Sequence, residues 1–402
     1  MSELDVSKLM TIESAMSIID AVTVAPRTST LELSQTLGLH LASDLRNDRD
    51  SPPFDKSLMD GYALRSADAT NTPCEVTVTG TIAAGGSPAE SLRPGQAVAI
   101  MTGAPLPTGA DAVIPIESTR AGDGSNRIQI LEPAVPGKFI ARQGSDARAG
   151  VIVLRAGDPL GPAQIAVAAS IGATLLPVFD PPTVAILGTG DELVPPDQTP
   201  TGSQIRSSNN AMLVALLSRY PCKVADLGLV PDVPAAIERK LADALNHDIA
   251  IITGGMSMGA HDYVPEILHR LGGDLKVTKL RVKPGKPFVF AEMPGGKFAF
   301  GLPGNPVSAF VCTISLVSRL LRRMAGGPPA PPANHAPLAQ SLEPNGPRTF
   351  YLPAIYDGQS LTPLHWKGSA DIFTLARANA LIIRPENQPA QSAGAQIAFI
   401  PI

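Results

Sequence analysis

Cysteine, aromatic residues and basic charge are all scarce in this sequence of 402 residues. Its three cysteines, Cys74, Cys222 and Cys312, lie far apart, so neither a disulfide framework nor a thiolate zinc site is expected. The formal net charge of −4 argues against a nucleic-acid partner, which normally requires a clustered basic excess. No run of about 18 apolar residues indicates a membrane span, and residues 1–20 do not resemble a signal peptide. We therefore expect a cytoplasmic protein with reduced thiols.

Proline and glycine, in contrast, are abundant, with 40 and 36 residues. This composition predicts several lobes that are rich in turns. Residues 183–325 alternate strand-like and helix-like segments, which is typical of a doubly wound α/β sheet. The flanks contain short β-branched runs between Gly/Pro clusters, and residues 326–337 have the composition of a stiff linker. The predicted fold class is α/β plus β, with a central doubly wound α/β domain, a β-rich N-terminal lobe over residues 51–137 and a C-terminal β-barrel or sandwich.

The apolar periodicity of residues 183–325 also predicts individual elements. Strands are expected over residues 183–187, 223–230, 248–252 and 275–282, with a hairpin formed by residues 287–293 and 297–301. Helices are expected over residues 210–219, 234–246 and 263–271, and from residue 307 onwards.

Four irregular loops follow strands of this predicted domain, where an open α/β sheet binds its ligands. In chain order they are Gly188–Glu192, Thr253–Gly259, Lys283–Lys286 and Leu302–Pro306. Glycines let backbone amides approach an anion closely, so the Thr253–Gly259 loop is the best phosphate cradle. It lacks the Gly-Lys-Ser/Thr ending of a P-loop, and a single loop of this kind is more often only a tight turn.

Charged residues accompany these loops. Lys283 and Lys286 flank a rigid Pro-Gly turn and could hold a dianion, although two solvated surface lysines have the same pattern. Asp191, Glu192 and Asp262 are hard oxygen ligands of the type that holds magnesium between carboxylates and a phosphate. For Asp262, helix capping is the alternative interpretation.

Five motifs, in order, carry a family resemblance. They are Pro-Pro-Phe-Asp-x-Ser-x-Met-Asp-Gly-Tyr-Ala over residues 52–63, Thr-Gly-Ala-Pro-Leu-Pro from Thr102, Thr-Gly-Asp-Glu-Leu from Thr189, Lys-Pro-Gly-Lys-Pro from Lys283 and Gly-Leu-Pro-Gly-Asn-Pro-Val-Ser-Ala-Phe from Gly301. Over nearly the whole chain the sequence resembles the molybdopterin molybdenumtransferase family, which includes the C-terminal part of gephyrin. Lys56, Leu58, Met256 and Met258 depart from the usual pattern, which has Asn, Ala and two valines there.

The resemblance implies an enzyme that inserts molybdate into adenylylated molybdopterin and releases AMP, the last step of molybdenum cofactor biosynthesis, with Mg²⁺ as cofactor. It also implies a homodimer with each site between the α/β domain of one subunit and the inserted lobe of the other. The implied domains are a discontinuous N-terminal lobe (1–50 and 138–179), an inserted β-rich lobe (51–137), a molybdopterin-binding-like α/β domain (180–326) and a C-terminal β-barrel (327–402).

The motifs carry individual residues into this expected site. The implied catalytic residues are Asp60, Thr102, Glu192, Asp262, Lys279 and Lys283, among which Asp60, Glu192 and Asp262 are the implied metal ligands. The implied substrate-binding residues are Gly254, Gly255, Ser257, Gly259, Lys286, Pro303, Asn305 and Ser369. Ser369 is a looser match, as are Asp232 and Arg348.

Two other functions compete with this one. The adenylyltransferase of the same pathway resembles residues 183–325, but it needs none of the flanking lobes that contain Asp60 and Thr102. A non-enzymatic scaffold is the second alternative. The sequence leaves open whether molybdate or tungstate is the natural oxyanion and which protein delivers the pterin. A transient contact with the adenylyltransferase of the pathway is a further expectation.

Overall fold

The computed structural model describes residues 9–87, 91–256 and 263–402. Contacts between Cα atoms divide the chain into two compact units, and the smaller unit contains residues 43–156 and 162–175. The larger unit contains the other described residues. Among the described helices, none combines the length and the apolar composition that crossing a membrane requires.

The N-terminal arm of the larger unit contains α1 (Ile12–Ala21) and β1 (Thr28–Glu32). The Thr11 hydroxyl caps the helix by accepting a hydrogen bond from the Ser14 backbone N–H at 3.1 Å. Ile12 and Ile19, two turns apart, are buried in the core of this unit. Arg27 donates two hydrogen bonds of 2.8 and 2.7 Å to the Asp248 carboxylate, which holds the arm against the α/β domain.

The smaller unit is built mainly from strands. In chain order its elements are β2 (Leu45–Arg46), β3 (Lys56–Ser57), β4 (Gly61–Leu64), β5 (Cys74–Ile82), β6 (Gln96–Ile100), β7 (Ala112–Pro115), β8 (Thr119–Ala121), β9 (Arg127–Ile130), β10 (Ile140–Ala141), β11 (Ile152–Leu154) and α2 (Pro162–Ser170). Among the described residues, six strands form one sheet in the order β7-β4-β6-β5-β9-β8. The pairs β2–β11 and β3–β10 form separate antiparallel ladders. β12 (Leu175–Phe179) follows and pairs with β1.

The α/β domain occupies the middle of the chain. Its elements are β13 (Thr183–Thr189), β14 (Leu193–Val194), β15 (Ile205–Arg206), α3 (Asn209–Leu217), β16 (Lys223–Val230), α4 (Pro234–Ala244), β17 (Ile249–Thr253), α5 (Val264–Arg270), β18 (Asp274–Lys279), β19 (Val282–Lys283), β20 (Pro287–Met293), β21 (Lys297–Leu302), α6 (Pro306–Cys312), a π-helical segment (Thr313–Val317) and α7 (Ser318–Met324). The sheet order is β16-β13-β17-β21-β20-β18, with parallel pairing from β16 to β21 and antiparallel pairing beyond.

Helices cover both faces of this sheet. Along β13, Val184 and Ile186 pack into a core with α1, α3, α6 and α7, whereas Ala185 and Leu187 pack into a second core with α4 and α5. This period of two places alternate side chains on opposite faces of the sheet. The prediction of a doubly wound α/β domain is confirmed.

The prediction of a single strand over residues 275–282 is wrong. β18 ends at Lys279, and Val282 and Lys283 instead pair with Thr349 and Phe350 in the C-terminal sheet. The chain turns between them because Leu280 is fully buried and donates its N–H to the Lys286 carbonyl at 2.9 Å. The local apolar periodicity of a sequence does not reveal that the chain passes from one sheet to another.

The C-terminal elements are β22 (Asn334–Pro337), β23 (Thr349–Tyr356), β24 (Leu361–Pro363), α8 (Ile372–Leu375), β25 (Ala380–Arg384) and β26 (Gln396–Pro401). The sheet runs β19-β23-β25-β26-β22, and β24 pairs with the other edge of β23. A bridge between Leu338 and Leu361 joins β24 to the residue that follows β22, so the strands form a small barrel around Leu352, Ile382 and Phe399. The expected C-terminal β-barrel is confirmed.

Candidate functional site

A cavity of about 1140 Å³ lies at the carboxyl ends of β13, β17 and β21 in the larger unit. Thr189 and Thr253 line it at the ends of two of these strands. Residues 366–370 of the C-terminal barrel, with Ile372 and Phe373, supply a further part of its wall. Such an edge, where strands end and helices begin, is where open α/β sheets bind ligands. The volume is sufficient for a large nucleotide-like molecule.

Two helices begin in the wall of the cavity. Asn209 begins α3, and Asn305 precedes the first residue of α6; neither helix has a side-chain cap. The Asn209 Nδ2 donates to the Gly304 carbonyl at 2.7 Å, which ties the two helix starts together. Backbone N–H groups at a helix N-terminus carry partial positive charge, so the start of α3 favours an anion. At the start of α6, Pro306 has no N–H and Val307 donates its own to Ser369.

The Gly254 loop brings backbone close to the same wall. Gly254 has φ +91°, and a Cβ atom there would lie 2.1 Å from the Thr189 carbonyl oxygen. Its N–H donates to the Leu302 carbonyl at 3.1 Å, linking the ends of β17 and β21. Only glycine satisfies both the conformation and the close approach.

Basic side chains outnumber acidic ones in the described lining. The basic residues are Arg206, Lys283, Lys286, Arg348 and Lys367, and the acidic residues are Glu192 and Asp232. This excess matches a polyanionic ligand, because arginine and lysine donate charge-assisted hydrogen bonds to phosphate and similar oxyanions.

Lys283 is positioned by aromatic rings. Its Nζ lies 4.6 Å from the ring centre of Phe350 and 5.9 Å from that of Trp366. The two ring centres are 5.5 Å apart. Cation–π contacts of this length hold the ammonium group without neutralising it. Lys283 forms no ion pair with any carboxylate in the described part of the chain, so its charge is available to a ligand.

The two acidic residues of the lining have defined surroundings. The Glu192 carboxylate lies over Gly190, where an added Cβ would be 2.8 Å from Oε2. Asp232 accepts a hydrogen bond from the Thr189 hydroxyl, and its own N–H donates to Asp191 at 3.0 Å. One oxygen of the Asp232 carboxylate is therefore held in place while Glu192 remains exposed.

The C-terminal barrel completes the cavity through Ser369. Its hydroxyl accepts a hydrogen bond from the Asn305 side-chain amide at 3.0 Å, and its carbonyl accepts from the Val307 N–H at 3.1 Å. The start of α6 is thus fastened to the barrel at the edge of the cavity.

Asp60 and Thr102 form a separate arrangement in the smaller unit. The Asp60 Oδ1 accepts hydrogen bonds from the Thr102 N–H at 2.6 Å and from its hydroxyl at 2.8 Å. These bonds, first from the backbone and then from the hydroxyl, hold the pKa of Asp60 below its ordinary value. Because both bonds end on Oδ1, Oδ2 is the oxygen that can accept from a ligand.

The structure brings many of the expected residues together. Glu192, Gly254, Gly255, Lys283, Lys286, Pro303, Asn305 and Ser369 all line the cavity, as do the looser matches Asp232 and Arg348. Lys279 does not line it and lies at the end of β18. Ser257, Gly259 and Asp262 lie outside the described residues. The residues that the structure describes contain no group of three or more His, Cys, Asp or Glu that could hold a metal ion.

Sequence reasoning missed several lining residues, among them Ser207, Asn209, Trp366 and Lys367. Ser207 and Asn209 are each 7% exposed, and their side-chain oxygens have no hydrogen-bond partner within the described residues. The signal available was the run of short polar residues Ser207–Asn210 at the start of an apolar helix.

Three family models match successive parts of the chain. They are described as the MoeA N-terminal region (domain I and II) over residues 10–172, a probable molybdopterin binding domain over residues 185–323 and the MoeA C-terminal region (domain IV) over residues 335–402. Together they span most of the sequence in the order that the five motifs indicated.

Curated proteins and a solved structure are similar over nearly the same length. The chain is 33% identical to a molybdopterin molybdenumtransferase of Nostoc sp., covering 92% of this chain and 88% of that protein. It is 36% identical to molybdopterin molybdenumtransferase 2 of Mycobacterium tuberculosis, covering 93% and 95%. The crystal structure of a molybdopterin biosynthesis moeA protein from Pyrococcus horikoshii superposes with a TM-score of 0.80 at 28% identity, covering 98% of this chain and 100% of that one.

Proposed function

Because this chain belongs to the molybdopterin molybdenumtransferase family, we propose that its basic cavity binds adenylylated molybdopterin and molybdate and releases AMP as molybdenum is inserted. The family gives it a role in molybdenum cofactor biosynthesis as a transferase. The observation that carries the proposal is the cavity itself, in which five basic side chains and two helix starts surround one volume.

Oxyanion binding is the first task of this site. Lys283 and Lys286 line the cavity on either side of the Pro-Gly turn, and the start of α3 lies in the same wall. We assign them to the phosphoanhydride and to molybdate, which are both rich in oxygen and negatively charged. Fixed donors stabilise the negative charge that develops on the phosphate oxygens as the bond to AMP breaks. We include Lys279 among the proposed catalytic residues on the basis of the family resemblance alone.

Magnesium is the cofactor that the family resemblance implies. Mg²⁺ is usually held by one or two carboxylates together with substrate phosphates, and Glu192 and Asp232 in the lining fit that donor set. We propose Glu192 as a metal ligand, and Asp262 and Asp60 as further ligands on the basis of the motifs. A bound magnesium ion would neutralise part of the phosphoanhydride charge. Asp232 is held by Thr189, so it can orient one carboxylate oxygen towards the cavity.

The remaining parts of the proposal concern assembly and the smaller unit. We propose a cytoplasmic homodimer in which Asp60 and Thr102 of one subunit complete the site of the other. The preorganised Asp60 carboxylate, with one oxygen bound to Thr102 and one left for a ligand, supports a role in binding. A transient contact with the adenylyltransferase would deliver the substrate.

The decisive experiment incubates the protein with adenylylated molybdopterin, magnesium and molybdate and measures AMP together with active cofactor. We expect both products to appear in equal amounts and to require molybdate. A parallel incubation with molybdopterin, magnesium and ATP tests the adenylyltransferase alternative, for which the adenylylated product would form instead. Absence of molybdate-dependent AMP release would refute the proposed function.

A further inference from the structure

A second cavity, of about 550 Å³, adjoins the first in the larger unit. The two share Gly190, Leu193 and Ser207 in their walls, so a ligand could extend from one into the other. Their charges are opposite. The second cavity is lined by Asp191 and Asp226 and by no lysine, arginine or histidine among its described lining residues. It therefore suits a group that donates hydrogen bonds, in contrast to the oxyanions of the first cavity.

Asp226 is held as a prepared acceptor. Its Oδ1 accepts hydrogen bonds from the Asn210 side-chain amide at 2.7 Å and from the Gly228 N–H at 2.9 Å. Asn210 is itself 6% exposed and donates a second bond to the Gly228 carbonyl at 3.3 Å. Because both bonds to Asp226 end on Oδ1, Oδ2 is left to accept from a ligand.

An independent observation at the junction of the cavities also indicates a ligand. Ser207 is more than nine-tenths buried and lines both cavities, yet its hydroxyl has no hydrogen-bond partner within the described residues. Unpaired buried hydroxyl groups are uncommon because they lose their bonds to water. A group that passes from one cavity to the other would supply the partner.

The walls of the second cavity indicate the shape of the ligand. Leu229 and the prolines Pro195, Pro196 and Pro231 provide apolar surface beside the two carboxylates. Rigid apolar walls with an acceptor at one edge suit a flat heterocycle whose rim carries N–H groups.

We propose that this second cavity recognises the 2-amino-4-oxopyrimidine edge of the pterin through Asp226, while the phosphate groups lie in the basic cavity. This inference rests on the proposed function. Oδ2 of Asp226, the oxygen left free by Asn210 and Gly228, can accept from the adjacent N3–H and 2-amino donors of the pterin. The corresponding edge of adenine offers only one donor beside an acceptor nitrogen, which a carboxylate would repel. The pair of cavities thereby assigns the pterin and adenine ends of the substrate to different places.

Fluorescent pterin and its analogue lumazine, which has an oxo group in place of the 2-amino group, are the probes for this assignment. Each is titrated by fluorescence into the full chain. We expect the protein to bind pterin about tenfold or more tightly than lumazine, the usual effect of one hydrogen bond to a charged group. Asp226→Asn should weaken pterin binding by a similar factor and abolish the preference over lumazine.

Two further variants control for folding and for charge. Ala211→Leu fills the second cavity from an exposed position of α3 with a good helix former, and it should weaken pterin binding without altering any carboxylate. Asp243→Asn removes an exposed carboxylate of α4 that lines neither cavity, and it should change nothing. Thermal melting confirms that all variants are folded.

The outcomes separate this inference from the proposed function. The inference is overturned if the Asp226→Asn and Asp243→Asn variants bind pterin equally well, or if lumazine binds as tightly as pterin. Either result would mean that the second cavity does not recognise the aminopyrimidine edge. Lack of saturable pterin binding by the unaltered chain also overturns it. Failure of molybdate-dependent AMP release, with the pterin preference intact, would overturn the proposed reaction and leave the pterin site standing.

Discussion

Replacing Lys283 with methionine should weaken the binding of AMP and of molybdate while leaving the fold intact. Methionine keeps the unbranched stem beside Phe350 and Trp366 but removes the ammonium group that lies 4.6 Å from the Phe350 ring centre. One charge-assisted hydrogen bond contributes about 1.5 to 3 kcal/mol, so each dissociation constant should rise about 10-fold to 150-fold. The lost cation–π contact of this exposed lysine should cost no more than about 1 kcal/mol of stability.

The chain provides its own reporter for this measurement. Trp366 is the only tryptophan in the sequence and lines the cavity beside Lys283, so its fluorescence should respond to AMP or molybdate directly. Calorimetry gives the same constants independently. Lys223→Met, at an exposed position of β16 away from both cavities, is the matched control. The reasoning fails if Lys283→Met retains both affinities within about twofold of this control, since one such hydrogen bond should change them more.

Four other changes test separate parts of the site. Glu192→Gln should keep the melting temperature but raise the magnesium concentration needed for half-maximal turnover, because an amide is a poorer ligand for a hard cation; an unchanged magnesium titration would remove Glu192 from the metal ligands. Gly254→Ala places a Cβ 2.1 Å from the Thr189 carbonyl at a positive φ, and calorimetric unfolding should show a loss of about 1 to 3 kcal/mol; no loss would mean that the loop is less constrained than described. Thr102→Val removes the hydroxyl that donates to Asp60, so the lowered pKa of the Asp60 carboxyl should rise towards its ordinary value. On acidification the carboxylate then takes up its proton at a higher pH, which NMR titration of the carboxyl carbon would detect. An unchanged pKa would contradict the hydrogen bond. If sites are shared between subunits, inactive Asp60→Ala and inactive Glu192→Ala proteins reassembled in equal amounts should recover about a quarter of all sites, whereas zero recovery with mixed dimers confirmed by mass would reject sharing.

The sequence was sufficient for the features that depend on local pattern. Alternating strands and helices over residues 183–325 predicted the doubly wound sheet, and glycine loops after its strands predicted the edge at which the cavity lies. The family motifs then selected Glu192, Lys283 and Asn305 from among many polar residues, and all three line that cavity.

Features that depend on contacts between distant residues could not be predicted. Lys283 and Phe350 pair in the C-terminal sheet although 67 positions separate them in the chain, and a two-residue strand leaves no periodic signal. The unpaired hydroxyl of Ser207 is likewise a property of burial, which a polar residue at a helix start does not reveal. The opposite charges of the two adjoining cavities could not be predicted either, because they depend on the fold placing Asp226 of β16 near the Gly190 loop.

The pairing of β19 with β23 has a consequence for how this architecture can be recombined. Val282 and Lys283 belong by chain order to the α/β domain but by hydrogen bonding to the C-terminal barrel. A chimaera joined in the proline-rich linker after Gly326 would therefore combine a lysine loop with a barrel that did not evolve beside it. Chimaeras that receive β19 together with residues 327–402 should be more stable, because the two paired strands then come from the same protein. The unit that can be exchanged is therefore discontinuous in the chain. The linker marks where the polypeptide changes composition, whereas the strand pairing marks where the protein can be divided.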